Sequence, residues 1–424
     1  MPYLFIVSIF YLPTFFPHDC LAGDNAYSLE DSIVSALAAA DDIAKPLLNV
    51  SFHNGRQLVV PDQFTSIQDA LDAANSGDTV IVKPGTYYER LFVRDGIKLT
   101  SFEGDAGNSL QAVDGAMTML PRRTGRTIID GAKDQSSPVA MLTFSTGASR
   151  NTIVDGFTIQ NLPNENHHNP GHSHAVNLRG ASPVIMNCYV VNNGSTGIGN
   201  HVTYLDQDKV LGERDFRFQN VEHATGAVIY RNIVAYNLGR GIGCNHFATS
   251  FLLGNEVYGN DDSSLTESPG PGIGVKHGAA PNIVHDNPYG GIKGKQGVNQ
   301  GKFPVDYPPR PIIRSNVVFR NGKQQPNIAC SSCGTDELPV IIANNFIFDT
   351  GAVGINLGNG SIGVIANNIV TSGQSKGIVV RNSRVSKLVG NVVLGAKDTA
   401  FFISDDSEIA LAEKNRPTPQ FKNR

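Results

Sequence analysis

The stretch NFIFDTGAVGIN (345–356) is followed by NIVTSGQSKGIV (368–379) and NVVLGAKDTAFF (391–402), so the opening asparagine returns after 23 residues each time. Each copy has an asparagine, a short apolar run and a polar turn, and the first two end on a Gly-Ile pair. Upstream, NCYVVNNGSTGIG from Asn187 and NIVAYNLGRGIG from Asn232 carry the same phrase. Asn232 to Asn255 is again 23 residues, whereas Asn255 to Asp286, Asp286 to Asn316 and Asn316 to Asn345 are 31, 30 and 29. Loops are therefore inserted into a regular unit.

A unit in the twenties built from short β-branched runs and Gly/Asn turns is too short for a helix pair and lacks the leucine pattern of leucine-rich repeats. A propeller or sandwich does not predict one position that is repeatedly Asn. One coil of a parallel β-helix does: each short strand stacks on its counterpart in the next coil at about 4.8 Å, and apolar side chains fill a long interior. Asn at a fixed turn position tolerates left-handed φ and can bond to the Asn above it, which sets the register. The expected class is all-β, a right-handed parallel β-helix solenoid with an N-terminal helical cap.

Two amphipathic segments precede the coils. SLEDSIVSALAAADDIAK (28–45) has an approximate capping box at Ser28 and Asp31 and an apolar face of Leu29, Ile33, Leu37 and Ala40. A second helix over 65–76 opens on a Thr65/Gln68 capping box and leads into TVIVKPGTYYERLFV, a strand, a Pro-Gly turn and another strand. It would close the N-terminal end of the stack, as solenoids require. The expected organisation is a secretory signal over 1–22, an N-terminal helical segment over 23–57, coils over 58–405 with inserted loops at 204–223 and 260–271, and a polar tail over 406–424. The signal reading rests on an apolar leader ending in small residues near Ala22, with a secreted or periplasmic location as its consequence.

The 424 residues include 44 glycines and no tryptophan, 17% are charged, and the net charge is −4. Nothing overall suggests a nucleic-acid partner, and no other segment is apolar enough to span a membrane. Removal of the leader would leave Cys188, Cys244, Cys330 and Cys333. CSSC (330–333) lacks a second pair at zinc spacing, so a small loop disulfide or idle thiols is expected.

TSIQDALDAANSGDTVIVKPGTYYER (65–90) followed by Asn-anchored coils resembles the right-handed parallel β-helix proteins of the pectin-lyase-like superfamily over about residues 58–404. The resemblance implies the fold. It leaves the reaction open, because that superfamily includes lyases, esterases, hydrolases, epimerases and proteins without known catalysis. GTYYER is similar to a pectin-esterase segment, but the esterases' later aspartate motifs are missing. The arginine-centred motifs of pectate lyases and the Asp-Pro-His signature of alginate epimerases are missing as well.

Aligned on the apolar residue of the Gly-Ile phrase, the coils give Val176, Ile198, Ile242, Ile273, Ile292, Ile355 and Ile378. If these point inward, the next residues point out: Asn177, Gly199, Gly243, Gly274, Lys293, Asn356 and Val379. Three successive glycines would leave a shallow floor that a ligand could approach. Two residues further lies a basic stripe of Arg179, His201, Asn245, Lys276, Lys295, Gly358 and Arg381. GIGVKHGAAP (272–281) is thus the coil after GIGCNHFATS (241–250), with Lys276 and His277 stacked on Asn245 and His246. Mutual repulsion in such a stripe favours a neutral lysine that can act as a base, and the row matches an anionic polymer. An ordinary solvated face is the competing reading.

The favoured function is binding and modification of an anionic, uronate-containing polysaccharide by removal of the sugar's C5 proton, as in a lyase or C5-epimerase. Lys276 is the expected base, with His277 and Lys295 as further catalytic candidates. Arg179, His174, His201, Asn245, His246 and Lys293 are the substrate-binding candidates. Asp261 and Asp262 are candidate ligands for Ca²⁺, the expected cofactor, a hard cation that prefers several oxygens. Four histidines in NENHHNPGHSH (164–174) read as a zinc or copper site or as a polar turn. A non-catalytic glycan binder and a hydrolase resembling polygalacturonases, through NDD (260–262), KHG (276–278) and GIK (291–293), are the alternatives.

Overall fold

The computed structural model describes residues 28–417 apart from 50–54, 105–108, 114, 134–139, 164–173, 201–202, 205–220, 224–225, 245–249, 262–269, 276–278, 296–310, 323–324, 350 and 372–374. The chain climbs through three faces of parallel strands, visiting sheets A, B and C once per coil. Sheet A runs from Gln57–Val60 to Phe251–Leu253 and resumes from Ile312–Arg314 to Glu408–Ile409, with a parallel bridge between Ala279 and Ile313 at the join. Sheets B and C have eleven strands each, from Gly85–Tyr87 to Val392–Leu394 and from Leu91–Val93 to Thr399–Ile403. This is the all-β parallel β-helix expected from the repeat. The middle residue of successive sheet B strands forms an unbroken inner column, Ile129, Ile159, Val190, Val234, Val257, Val284, Val318, Ile347, Val370 and Val393, all buried.

The corner from A to B is a two-residue turn in which each asparagine bonds to that of the next coil, as expected from the sequence, but is not itself the left-handed residue. Left-handed φ falls on the preceding residue, at Arg231 (54°), Ser315 (57°), Asn344 (55°) and Asn367 (55°), where the chain reverses without a strand pair. The asparagine after it turns inward. Asn232, Asn255, Asn282, Asn316, Asn345, Asn368, Asn391 and Asn415 stack, each Nδ2 donating to the Oδ1 of the next at 2.9–3.3 Å. Asn282, not Asp286, is the member for its coil. A second column, Asn193, Asn237, Asn260, Asn287, Asn321 and Asn327, does the same at the B-to-C corner. Its first five members fall five residues after Cys188, Asn232, Asn255, Asn282 and Asn316.

That second column explains the glycine of the Gly-Ile phrase. A Cβ on Gly241 would stand 2.3 Å from Val257 Cγ1 and 2.8 Å from Asn260 Nδ2, and one on Gly377 2.2 Å from Val393 Cγ1. The glycine position faces the filled corner, so no side chain fits there.

Helix α1 (Leu29–Leu47) begins at Ser28, whose hydroxyl accepts the Asp31 N–H as expected. It lies outside the coils as a strap. Ile33 and Ala36 pack on Ile283, Val317, Phe319 and Phe346, while Ala40 and Ala44 pack on Ile153, Val184, Val228 and Phe251. Helix α2 (Ile67–Ala73) covers the N-terminal end with buried Ile67, Ala70 and Leu71. It is shorter than the expected 65–76, and its cap is Ser66, which accepts the Asp69 N–H, rather than Thr65 with Gln68. The Glu89 carboxylate accepts the Ile67 and Gln68 N–H groups at 3.0 and 2.9 Å, and the Arg94 guanidinium donates to the carbonyls of Leu71, Asp72 and Ala74. The coils also run past residue 405: Glu408–Ile409 and Ala412–Glu413 pair in parallel with Arg384–Val389, and Asn415 extends the ladder. The expected tail is therefore largely a further coil.

Asn345 donates to Asn368 Oδ1 and Ile313 O and accepts from Asn316. Asn345→Ala leaves these buried groups unpaired and is expected to lower stability by about 2–4 kcal/mol in urea denaturation, whereas exposed Lys387→Ala should change it by less than about 0.5 kcal/mol.

Candidate functional site

Sheet C has the register that the sequence columns required. Val176, Ile198, Ile242, Ile273 and Ile292 are direct partners and point into the core, and Ile328, a rung absent from the sequence alignment, continues to Ile355, Ile378 and Phe401. The outward neighbours therefore stack as Phe92, Thr143, Asn177, Gly199, Gly243, Gly274, Lys293, Ala329, Asn356, Val379 and Phe402. Lys295, Ser331 and Gly358 share the column two residues on.

The glycine floor is not vacant. His174, two residues before Val176, lays its ring over the neighbouring rung: a Cβ on Gly199 would lie 1.9 Å from His174 Cδ2. Arg240, two residues before Ile242, lays its stem across the next two glycines, with Cδ 3.7 Å from a Cβ built on Gly243 and 3.3 Å from one on Gly274. Lys293 occupies the following rung of the same column, with Nζ 5.3 Å from the Tyr289 ring centre. The glycines thus admit His174 and Arg240 flat against the sheet, and alternate rungs supply an imidazole, a guanidinium and an ammonium along one line. Arg240 is held from the side as well, packing on Gly270. Burial lowers the pKa of its guanidinium and the charge of Asp261 opposes that shift; an arginine remains a cation through such a shift. Arg240 stands at the same offset before Ile242 as His174 before Val176, and of these two the sequence reading named only His174.

Arg179 is half-buried at its expected place, its N–H donating to Asn177 Oδ1 at 3.1 Å. His201, Asn245, His246, Asp262, Lys276 and His277 lie outside the described residues, as does the side chain of Lys295. Asp261 is fully buried, and its carboxylate accepts the Gly270 N–H. That role, beside a ladder residue at Asn260, does not fit the solvent-facing acid pair of a polygalacturonase-like hydrolase. Among the described residues no three His, Cys, Asp or Glu side chains converge as metal ligands. The four cysteines of the described residues are buried; Cys330 points into the core and Cys333 donates to the Ser331 carbonyl, so CSSC forms no loop disulfide.

A second ionic cluster lies on the outer face of sheet B. Glu256, fully buried, accepts the N–H groups of Met117 and Thr118 at 2.7 Å and faces His285 Nε2 at 2.8 Å. His285 Nδ1 faces Asp286 at 2.7 Å, Arg320 pairs with Asp286, and the imidazole is sandwiched between Tyr258 and Phe319. Burial pushes the Glu256 carboxyl up, but the hydrogen bonds from His285, Thr118 and Met117 outweigh it and hold the pKa below the ordinary value. The hairpin of Leu110–Ala112 and Met119–Pro121 is fastened to the coils here, so the cluster is a structural latch.

In chain order, residues 201–225 and 296–310 lie between a strand of sheet C and the next strand of sheet A.

A family model described as periplasmic copper-binding protein (NosD) matches residues 310–416, about a quarter of the chain. The matched segment contains no histidine or methionine, and its two cysteines are buried thiols, Cys330 being pushed well above its ordinary range by burial, so it does not offer a copper donor set. Among solved structures, the catalytic unit of a GH87 α-1,3-glucanase from Streptomyces thermodiastaticus is 10% identical with a TM-score of 0.52, covering 86% of this chain and 69% of the other. The A-module of the Azotobacter vinelandii mannuronan C-5 epimerase AlgE6 is 16% identical with a TM-score of 0.48, covering 84% and 95%. At these identities the likeness is one of fold. No curated protein sequence matched.

The two glycine columns make opposite demands. Gly199→Ala should displace only the His174 ring, seen as shifted imidazole resonances with stability changed by less than about 1 kcal/mol, while Gly241→Ala, aimed at Val257 and Asn260, should cost about 1–3 kcal/mol. The Glu256 latch has a pH signature. A carboxyl with a lowered folded pKa stabilises fully above its ordinary value of 4.5 and loses that contribution as pH falls through the lower one, so Glu256→Gln should cost most at neutral pH and progressively less in acid.

Proposed function

We propose that the outer face of sheet C binds an anionic, uronate-containing polysaccharide laid along the coil axis and abstracts its C5 proton. The line of His174, Arg240 and Lys293 on alternate rungs carries this reading. Two rungs of about 4.8 Å separate each group from the next, which suits a polymer with a repeating carboxylate better than a compact ligand.

In the reaction, Arg240 and Lys293 neutralise the carboxylate next to C5, which stabilises the enolate left when the proton departs. His174 is the described group placed to take that proton; Lys276 and His277 follow Gly274 in sequence and are further candidates for it. Return of a proton to the opposite face of C5 gives the epimer. Cleavage of the C4–O bond, with the electron pair forming a C4–C5 double bond and the leaving oxygen taking a proton, gives the lyase products. The fold likeness to a protein named a mannuronan C-5 epimerase is compatible with either course. Ca²⁺ remains a proposed aid to carboxylate neutralisation. The match to a model described as periplasmic and the expected signal at 1–22 support a place outside the cytoplasm, and no helix of the described residues is long and apolar enough to cross a membrane.

The test is incubation with alginate, pectate and glycosaminoglycans, with and without Ca²⁺, following ultraviolet absorbance of unsaturated uronate, the sugar proton spectrum and binding by calorimetry. Wild type should bind at least one polyuronate, more weakly as salt rises, and Arg240→Ala should weaken that affinity about 10–100-fold. His174→Ala should abolish turnover and spare most of the binding. Binding without product in the wild type would make the protein a glycan binder, and equal affinity of wild type and Arg240→Ala would refute the site.

A further inference from the structure

The outward column of sheet C ends at Phe402, four strands beyond Lys293. Two cations lean onto that ring from the adjacent strand: Lys376 Nζ lies 4.6 Å from its centre and the Arg381 guanidinium 5.2 Å. They come from opposite ends of one strand, Lys376 two residues before inward Ile378 and Arg381 three after it. Both heads therefore lie against one ring on the outward face. Among the described residues neither forms an ion pair. The nearby carboxylates are otherwise engaged, Asp398 with the Ser375 hydroxyl and Asp406 with the Asn382 N–H and the Ser404 hydroxyl. Two like charges brought together without a counter-ion repel, and the ring quadrupole offsets part of that cost.

Between Lys293 and this pair the face is neutral and low. Its outward residues are Ala329 and Asn356, flanked by Ser331 and Gly358, and nothing lies within 3.4 Å of a Cβ built on Gly358. Four rung spacings separate Lys293 from Phe402, about 19 Å, which about four extended sugar residues span.

Building on the function proposed above, we infer that Lys376, Arg381 and Phe402 form a second anion subsite on sheet C, which takes a carboxylate of the same acidic polysaccharide at a fixed distance from Arg240 and Lys293. The neutral stretch between the two lets the polymer pass without contributing charge. The protein therefore measures chain length: a short oligomer fills one subsite, and a longer one engages both, the second contact forming at high effective concentration.

Calorimetry with oligouronates of two to ten residues at low salt tests this, using wild type, the double variant Lys376→Gln/Arg381→Gln, Phe402→Leu and Arg240→Ala, each checked by thermal melting. Wild-type affinity should rise at least tenfold once the oligomer exceeds about six residues. The double variant should bind short oligomers as wild type does and lose that rise, and Phe402→Leu, which keeps both charges and removes their support, should lose part of it. An equal rise in wild type and double variant, or an equal rise with neutral oligosaccharides, overturns the second subsite while leaving the Arg240 site standing. Failure of wild type to bind oligouronates of any length overturns the proposed function itself, and the subsite with it.

Discussion

The strands of the coils are short, mostly three to five residues, and each finds its backbone partners one coil away. Strands that short cannot fix their own register, because a slip of one residue would exchange the buried and exposed faces at little cost in hydrogen bonds. The asparagine columns remove that freedom. Each ladder side chain bonds both to the next coil's asparagine and to a backbone carbonyl of an earlier strand, as Asn368 does with Asn391 Oδ1 and Ile342 O, so a slip would leave buried amides unpaired at two corners at once. Left-handed residues at Arg231, Ser315 and Lys414 cost on the order of 1 kcal/mol each. The coils tolerate them because the corner so formed delivers the next asparagine into its stack.

The outer surface inherits this order. With register fixed at two corners, a residue's place in its coil determines its column, and a groove becomes a matter of which residue types recur at one offset. Glycine illustrates the consequence. Gly241 is required by what lies inside, Gly199 and Gly274 by the side chains that lie outside, and the sequence writes all three alike. The strap α1 and the hairpin at 110–121 occupy the outer faces near sheet B, through apolar contacts and the Glu256 latch. Sheet C keeps its outward face for small and cationic residues.

The architecture was legible because it is periodic. Asn345, Asn368 and Asn391 at equal spacing, with apolar runs between, determined the coil, and alternation from Ile242 and Ile273 placed the first outward column correctly. Insertions caused the errors. Asp286 was taken for the ladder residue because the loop at 262–269 displaced the count, although it directly precedes Asn287 of the other column. The rung of Ile328 was passed over because Asn327 replaces the glycine of the phrase. The site was less legible for a different reason: where a long side chain ends is decided by the space its neighbours leave. The offset of His174 from Val176 placed it beside the groove, but that it and Arg240 lean over glycines of adjacent rungs is not written in their own coils. His285 and Glu256 are 29 residues apart, and only the stacking of sheet B brings them together.

A solenoid can hold charges in a way that a compact domain cannot. Cations gathered in a closed cleft share one field and must be balanced by buried carboxylates, with desolvation opposing the gain. Along a coil stack they can be spread over rungs, half-exposed, each supported locally: Arg240 by glycine and the charge of Asp261, Lys293 by Tyr289, Lys376 and Arg381 by Phe402. At spacings of one to several rungs their mutual repulsion is screened by solvent within about a Debye length of roughly 8 Å. A flexible polyanion placed along that line gains each contact without reorganising the protein, because the spacing was set when the asparagines stacked. The same interaction that fixes the fold therefore fixes the ruler against which the ligand is read.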